Sequence, residues 1–173
     1  ALAKRIAYFP AEPTVHWPLR VDRLVALGRI PYDEFMRVEN TIDASAINNA
    51  MTRTDILHLS NRTISSLSSG ERTRVLIARA LAVEPQVLIA DEPVSSLDLY
   101  HQLQVMELLQ NIAAVDRIVV VVLHDLTMAA RFCDRIVVIT KGHIVRDGKP
   151  SEVLKSDVIK EVYGVETIYT STS

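Results

Sequence analysis

Three clusters of side chains in this sequence have types and spacing that could do chemistry. Ser68-Ser69-Gly70-Glu71 stands at the head of a helical run over residues 72–83. Small residues ahead of a helix leave backbone N–H groups without intrahelical partners beside the positive end of the helix dipole, which suits a phosphate. Asp91 and Glu92 follow the apolar tetrad Val87-Leu88-Ile89-Ala90, and His124 follows an apolar run over residues 118–123. A short all-apolar run reads as a strand buried in a parallel sheet. Carboxylates at the carboxyl end of such a strand stand where open α/β sheets bind their ligands. An anion-binding helix end and an acidic strand end, both between Leu67 and Asp98, make an arrangement shaped for a nucleotide.

The elements that must position these groups follow from pattern. Leu99, Leu103, Met106 and Leu109 recur at i, i+4, i+7 and i+10, one face of an amphipathic helix. Strand, helix, strand in that order predicts a right-handed crossover with both strands parallel. If the two strands lie close in the sheet, Asp91, Glu92 and His124 emerge on one edge, separated by one to a few spacings of about 5 Å. Upstream, residues 6–9 read as a short strand halted by Pro10, and residues 11–18 as loop. Residues 19–28 read as a helix with Gly28 as its C-cap, and residues 31–40 as a polar connector. Residues 41–57 read as a weakly periodic helix with Ile42, Ala46, Ile47 and Ala50 on a loose face, and residues 59–69 as an extended approach. Downstream, a short helix over 126–133 leads to a strand over 136–140. Lys141-Gly142 turns that strand into a partner over 143–146, and one or two short helices over 151–163 end at Gly164. The fold class is α/β.

With 173 residues the chain is one domain or part of one. Nineteen basic residues against 21 acidic ones create no strong field towards nucleic acid or anionic lipid. Cys133 is the one cysteine, so there is no intramolecular disulfide framework. The longest apolar run is far short of a membrane span, and a soluble intracellular protein is the default expectation. Ala1 leads straight into an apolar stretch without an initiating Met, which suggests a chain that begins partway through something larger.

Set together, these residues resemble the ATP-binding subunit of ABC transporters. Leu67-Ser68-Ser69-Gly70-Glu71 is similar to the family's signature sequence, and Val87 to Asp91 to its Walker B strand. Glu92 stands at the catalytic glutamate, Ser96-Leu97-Asp98 at the D-loop and His124 at the switch histidine. Val25-Ala26-Leu27-Gly28-Arg29-Ile30-Pro31 and Glu161-Val162-Tyr163-Gly164-Val165 are similar to stretches in importers of metal chelates, such as iron–siderophore, haem and cobalamin systems.

The resemblance implies a P-loop NTPase-like parallel sheet core flanked by helices, with a helical subdomain and with the N-terminal part of the fold missing. Residues 1–10 become a remnant of the ATPase core ending at a degenerate Q-loop, and residues 11–70 the helical signature subdomain. Residues 71–149 become a RecA-like core with Walker B, D-loop and H-loop, and residues 150–173 C-terminal helices and a tail. ATP and Mg²⁺ are the implied cofactors. In that scheme Asp91 holds Mg²⁺ through its water shell, Glu92 orients or deprotonates the attacking water, and His124 contacts the γ-phosphate. Ser68, the Ser69 and Gly70 amides and Glu71 at the helix end grip the γ-phosphate of ATP held by a second copy. Asp98 communicates across that two-fold boundary. The implied partners are a membrane permease, a second copy and indirectly a substrate-binding protein, with no nucleic acid. The implied location is cytoplasmic, peripheral at the inner face of the membrane.

The sequence also departs from the family. No G-x-x-x-x-G-K-S/T loop occurs in it, and Gly142 and Gly148, with Pro150 beyond, read as hairpin turns instead. A truncated piece of a longer ATPase, inactive alone, is therefore expected. Ala11, followed by Glu12, stands where the family has its Q-loop glutamine, and Ser69 where the signature has its first glycine. Slow hydrolysis is expected even from an intact parent.

Plainer readings stand beside these. Ser68 to Glu71 could be only a helix N-cap, Asp91-Glu92 a strand-end turn, and His124-Asp125 another cap. The joint spacing of the motifs favours the functional reading of all three. Trp17 could pack in the core or line a groove for a permease helix, and Cys133 reads as a buried small residue. His16, His58, His101 and His143 show no metal-ligand spacing and are assigned no role. The competing functions are a degenerate, non-catalytic regulatory subunit and an ABC-type ATPase without a transport role.

Overall fold

Residues 72–83 hold Val75, Leu76, Ile77, Ala78, Ala80, Leu81 and Ala82, all nearly without exposed surface, so the helix they form is apolar on most sides and has to be surrounded. A computed structural model describes residues 2–11, 17–32, 41–115 and 117–165. It forms two compact units, Ala1–Val122 and Leu123–Ser173. The first contains β1 (Ile6–Phe9), α1 (Val21–Ala26), α2 (Thr41–Arg53), α3 (Ser69–Leu81), β2 (Val87–Asp91), α4 (Leu99–Ala113) and β3 (Ile118–Val122). α3 is its centre and packs against α1, α2, α4 and β1. Each fully buried aliphatic side chain here contributes about 1.5–3 kcal/mol. The helix stops where Glu84 enters the left-handed region at φ 55° and Pro85 follows.

The sheet runs β1-β2-β3 and is parallel throughout, as the crossover argument expects. Tyr8 pairs with Ile89 and Ile89 with Val120, so these three share a face, while Phe9, Ala90 and Val121 share the other. The second face is the packed one: Ala7, Phe9, Leu88 and Ala90 are buried. On the first, Tyr8, Ile118, Val120 and Val122 are exposed. β3 is therefore not the fully buried strand that its apolar run suggests. It lies at the end of its sheet, and among the described residues the helices of this unit pack on one side of it.

Other departures have local causes. α1 is shorter than expected and runs into a 3-10 turn, Leu27–Tyr32, so Gly28 is not its C-cap. Gly28 serves contact instead: a Cβ there would collide with the Arg79 carbonyl oxygen and lie 2.9 Å from Ala82 Cβ, so the 3-10 turn comes up against the backbone of α3. α2 turns Ile42 outward and Asp43 inward because Asp43 meets buried Arg29. Between residues 57 and 66 the chain makes two short 3-10 turns where extended backbone was expected. In α4, Leu99 is 66% exposed, and the buried face is Val105, Met106, Leu109 and Ile112. These buried side chains come from its later turns. Trp17 is 72% exposed, against its core reading, and Cys133 is half-buried, with burial and neighbouring Asp134 pushing its thiol up. Glu12 and His16 lie outside the described residues.

Arg29 ties these helices together. Its Nε donates to Asp43 Oδ1 at 2.6 Å, and its Nη1 donates to the Ala82 carbonyl at 2.7 Å and Glu84 Oε2 at 2.9 Å. Its guanidinium stacks 3.8 Å from the centre of the Tyr32 ring, whose O–H donates to the Val83 carbonyl at 2.8 Å. Burial pulls Arg29 down, but the bonds to Asp43 and Glu84 outweigh it and the group ends above its ordinary value.

The second unit contains α5 (Leu126–Phe132), β4 (Ile136–Thr140), β5 (His143–Gly148), α6 (Pro150–Val153) and α7 (Ser156–Tyr163). β4 and β5 form the expected antiparallel pair, with an irregularity between Val138 and Ile139. Gly164 ends α7 at φ 71°. No described helix is long and apolar enough to cross a membrane.

Removing Asp43 leaves the Arg29 charge buried beside Glu84 alone, whereas Glu84 itself is exposed. Asp43→Ala should lower the unfolding free energy by about 3 kcal/mol and Glu84→Ala by under about 1 kcal/mol, measured by urea denaturation.

Candidate functional site

β2 delivers the acidic pair. Asp91 ends the strand half-buried, on the open face of the sheet. The register places Tyr8 on that face of the neighbouring strand, and its O–H donates to Asp91 Oδ2 at 3.0 Å. The bond to a carboxylate pushes the Tyr8 phenol up.

Glu92 follows at φ 46°, a left-handed conformation that non-glycine residues seldom adopt. Its N–H donates to the Val122 carbonyl at 3.2 Å, and its own carbonyl accepts from Ser95 N at 3.3 Å and Ser95 Oγ at 3.1 Å. The ladder between β2 and β3 thus runs one residue past β2 and fixes the Glu92 backbone at the sheet edge. Asp91 pairs with Val122, so the two strands end together. His124 comes two residues after Val122 and is exposed. Asp125 caps α5, its Oδ1 accepting from Thr127 N at 2.7 Å and Met128 N at 3.1 Å.

Ser68 caps α3. Its Oγ accepts from Glu71 N at 3.2 Å, and Glu71 Oε2 accepts from Ser68 N at 2.8 Å, a reciprocal capping box. That backbone bond holds the Glu71 carboxyl below its ordinary range. Ser69 is the exposed first residue of the helix, and Gly70 behind it is buried. The plain cap and a phosphate grip are compatible here: a hydroxyl that accepts one bond keeps its own O–H to donate.

Asp98 caps α4, its Oδ1 accepting from His101 N at 3.0 Å. His101 Nδ1 lies 2.9 Å from Asp98 Oδ1 and 2.8 Å from Oδ2. Gln102 Nε2 donates to the carbonyls of Val94 and Leu97 at 3.2 and 3.0 Å and braces the turn leading to Asp98. Tyr8, His101 and Gln102 were not singled out by the sequence. The signal for Tyr8 was its period-2 position relative to Asp91, legible once the register is known. His101 carried the three-residue spacing of a cap, and Gln102 carried no signal.

Among the described residues no three His, Cys, Asp or Glu side chains gather as a metal-ligand set. Mg²⁺ commonly takes one or two carboxylates together with phosphates of its substrate. One half-buried carboxylate next to a second acidic residue fits that shared kind of site and not an all-protein cage.

Three parallel strands with helices packed against them, the middle strand ending in an acidic pair, define an α/β protein. A family model described as ABC transporter matches residues 1–95, and the chain belongs to that family. It is 40% identical over 164 residues to the cobalamin import ATP-binding protein BtuD of Halobacterium salinarum, covering 94% of this chain and 41% of that one. It is 39% identical over 163 residues to the hemin import ATP-binding protein HmuV of Rhodococcus jostii, covering 94% of this chain and 55% of that one. Among solved structures it is similar to a metal-chelate type ABC transporter in an inward-facing conformation, with TM-score 0.85, 26% identity, and 94% and 64% of the two chains covered. It is also similar to cbiO1 of Clostridium perfringens, part of the transporter complex cbiONQ, with TM-score 0.79, 28% identity, and 92% and 63% covered. The chain spans 41% and 55% of the length of the two curated relatives named here.

Ser68→Ala removes the acceptor for the Glu71 amide and should cost about 1 kcal/mol in urea denaturation, while Glu71→Gln, which keeps an acceptor for the Ser68 amide, should cost less.

Proposed function

We propose that this chain is part of the ATP-binding and hydrolysing subunit of an ABC importer that takes up a metal chelate through a membrane permease. The observation that carries the reading is the path from the Ser68–Glu71 capping box through α3 to the acidic end of β2, where Glu92 is anchored on Val122. Relatives named for cobalamin, hemin and siderophore transport support the substrate class.

ATP hydrolysis is mostly positioning and charge stabilisation. Mg²⁺ arriving with ATP supplies positive charge against the phosphate oxygens. Asp91, held by Tyr8, would hold that ion, and Glu92 would orient the attacking water and accept its proton. His124 contributes a hydrogen bond to the γ-phosphate. At the other end of α3, the Ser68 hydroxyl and the Ser69 and Gly70 amides meet the γ-phosphate of ATP held by a second copy, while Glu71 fixes the Ser68 amide. Asp98 works at the boundary between the copies. On this reading residues 11–70 are the helical subdomain and residues 71–149 the ATPase core. These 173 residues contain no G-x-x-x-x-G-K-S/T loop to cradle the phosphates. The subunit sits at the inner face of the membrane, where exposed Trp17 contributes to the permease contact.

In the full-length subunit reconstituted with its permease, Glu92→Gln should reduce ATP turnover at least about 100-fold while nucleotide binding persists. Residues 1–173 alone should show no turnover. Undiminished hydrolysis by Glu92→Gln would overturn the assignment. Trp17→Ala should weaken co-purification with the permease without lowering Tm; a lower Tm with unchanged capture would return Trp17 to a packing role.

A further inference from the structure

His101 sits where two segments of the candidate site meet. It is the third residue of α4, and Asp98 caps that helix through the His101 amide. The same carboxylate takes the ring: Nδ1 lies 2.9 and 2.8 Å from its two oxygens. A carboxylate only accepts, so Nδ1 is the proton-bearing nitrogen in this contact. Another side of the ring rests on Gly70, the second residue of α3. A Cβ on Gly70 would collide with His101 Cδ2 and lie 2.9 Å from Cγ and 3.1 Å from Nε2. Gly70 has ordinary helical backbone, so this close approach, not a special φ, is what requires a glycine. The Tyr100 ring closes a further side edge-on, with centroids 5.4 Å apart. His101 is half-buried, and its bonds hold the Asp98 carboxyl below its ordinary range, so the contact favours the charged carboxylate.

We propose that His101 is a positioning residue that locks the Asp98 segment to the N-terminus of α3, so that both meet the second copy as one preassembled surface. The inference rests on the ATPase reading above, in which Asp98 and Ser68 to Gly70 approach nucleotide held by a partner copy. Two segments tied in advance do not have to be ordered separately when the copies close. Losing the tie therefore burdens the closed, reacting state more than the first capture of ATP, which the signature end of α3 does not perform.

Three variants in the full-length subunit with its permease separate the contributions. His101→Phe keeps a ring on Gly70 but loses the donor to Asp98. His101→Asn keeps a donor near the Nδ1 position on a smaller side chain, and His101→Ala removes both. His101→Phe and His101→Ala should lower kcat about tenfold, with KM for ATP within about twofold, and His101→Asn should recover most of kcat. Amide hydrogen exchange, which needs no hydrolysis, should quicken at residues 68–71 and 98–101 together in His101→Phe. Wild-type kcat in His101→Phe, losses that follow Tm in all three variants, or unchanged exchange at 68–71 would each overturn the lock. If the unsubstituted subunit with its permease showed no ATP turnover while the paired exchange response appeared, the ATPase reading would fail and the lock would stand as a structural tie.

Discussion

The burial of α3 is the constraint from which the rest of the first unit follows. A helix with Val75, Ile77 and Ala78 fully enclosed cannot lie on a surface, so α1, α2, α4 and β1 gather round it. Its 13 residues span about 20 Å, and that rigid length fixes how far the Ser68 end stands from the turn into β2. The far end is tied by polar contacts: Arg29 reaches the Ala82 carbonyl and Tyr32 the Val83 carbonyl. Placing Arg29 and Asp43 in the interior carries a desolvation cost. The guanidinium offsets it by meeting two carboxylates, a carbonyl and an aromatic face at once.

Local backbone devices serve both stability and the proposed chemistry. The capping box orders the Ser68 amide without using up the Ser68 hydroxyl. Asp98 ends one segment and begins the next helix with the same carboxylate that meets His101. At the acidic end of β2 the two neighbours are held differently. Asp91 is steadied through its side chain by Tyr8, and the Glu92 backbone is steadied by Val122 at its N–H and by Ser95 at its carbonyl. A left-handed residue costs of order 1 kcal/mol or more. Here three hydrogen bonds to the Glu92 backbone maintain it.

What the sequence disclosed was whatever depends on short-range order. The strands at residues 6–9 and 87–90, the parallel crossover and the cap at Ser68 follow from runs and spacings a few residues long. What it concealed depends on pairs distant along the chain. Gly28 looks like a helix cap until Arg79 is brought against it. Ile42 leaves its expected face because its neighbour Asp43 meets Arg29, 14 residues away in sequence and 2.6 Å away in space. His101 passes for a solvated helix residue until Gly70 arrives under its ring. The apolar run of β3 marks a strand, but its composition says nothing of how many of its sides are covered.

The pairing of β1 with β2 gives the reading frame of the first strand a significance out of proportion to its four residues. Because side chains alternate at every step, sliding β1 by one position would turn the Tyr8 phenol inward and swing the Phe9 ring out to solvent. A one-residue slip of β1 would thus uncouple Asp91 from its hydroxyl partner and hollow the interior in one stroke, with no side chain altered.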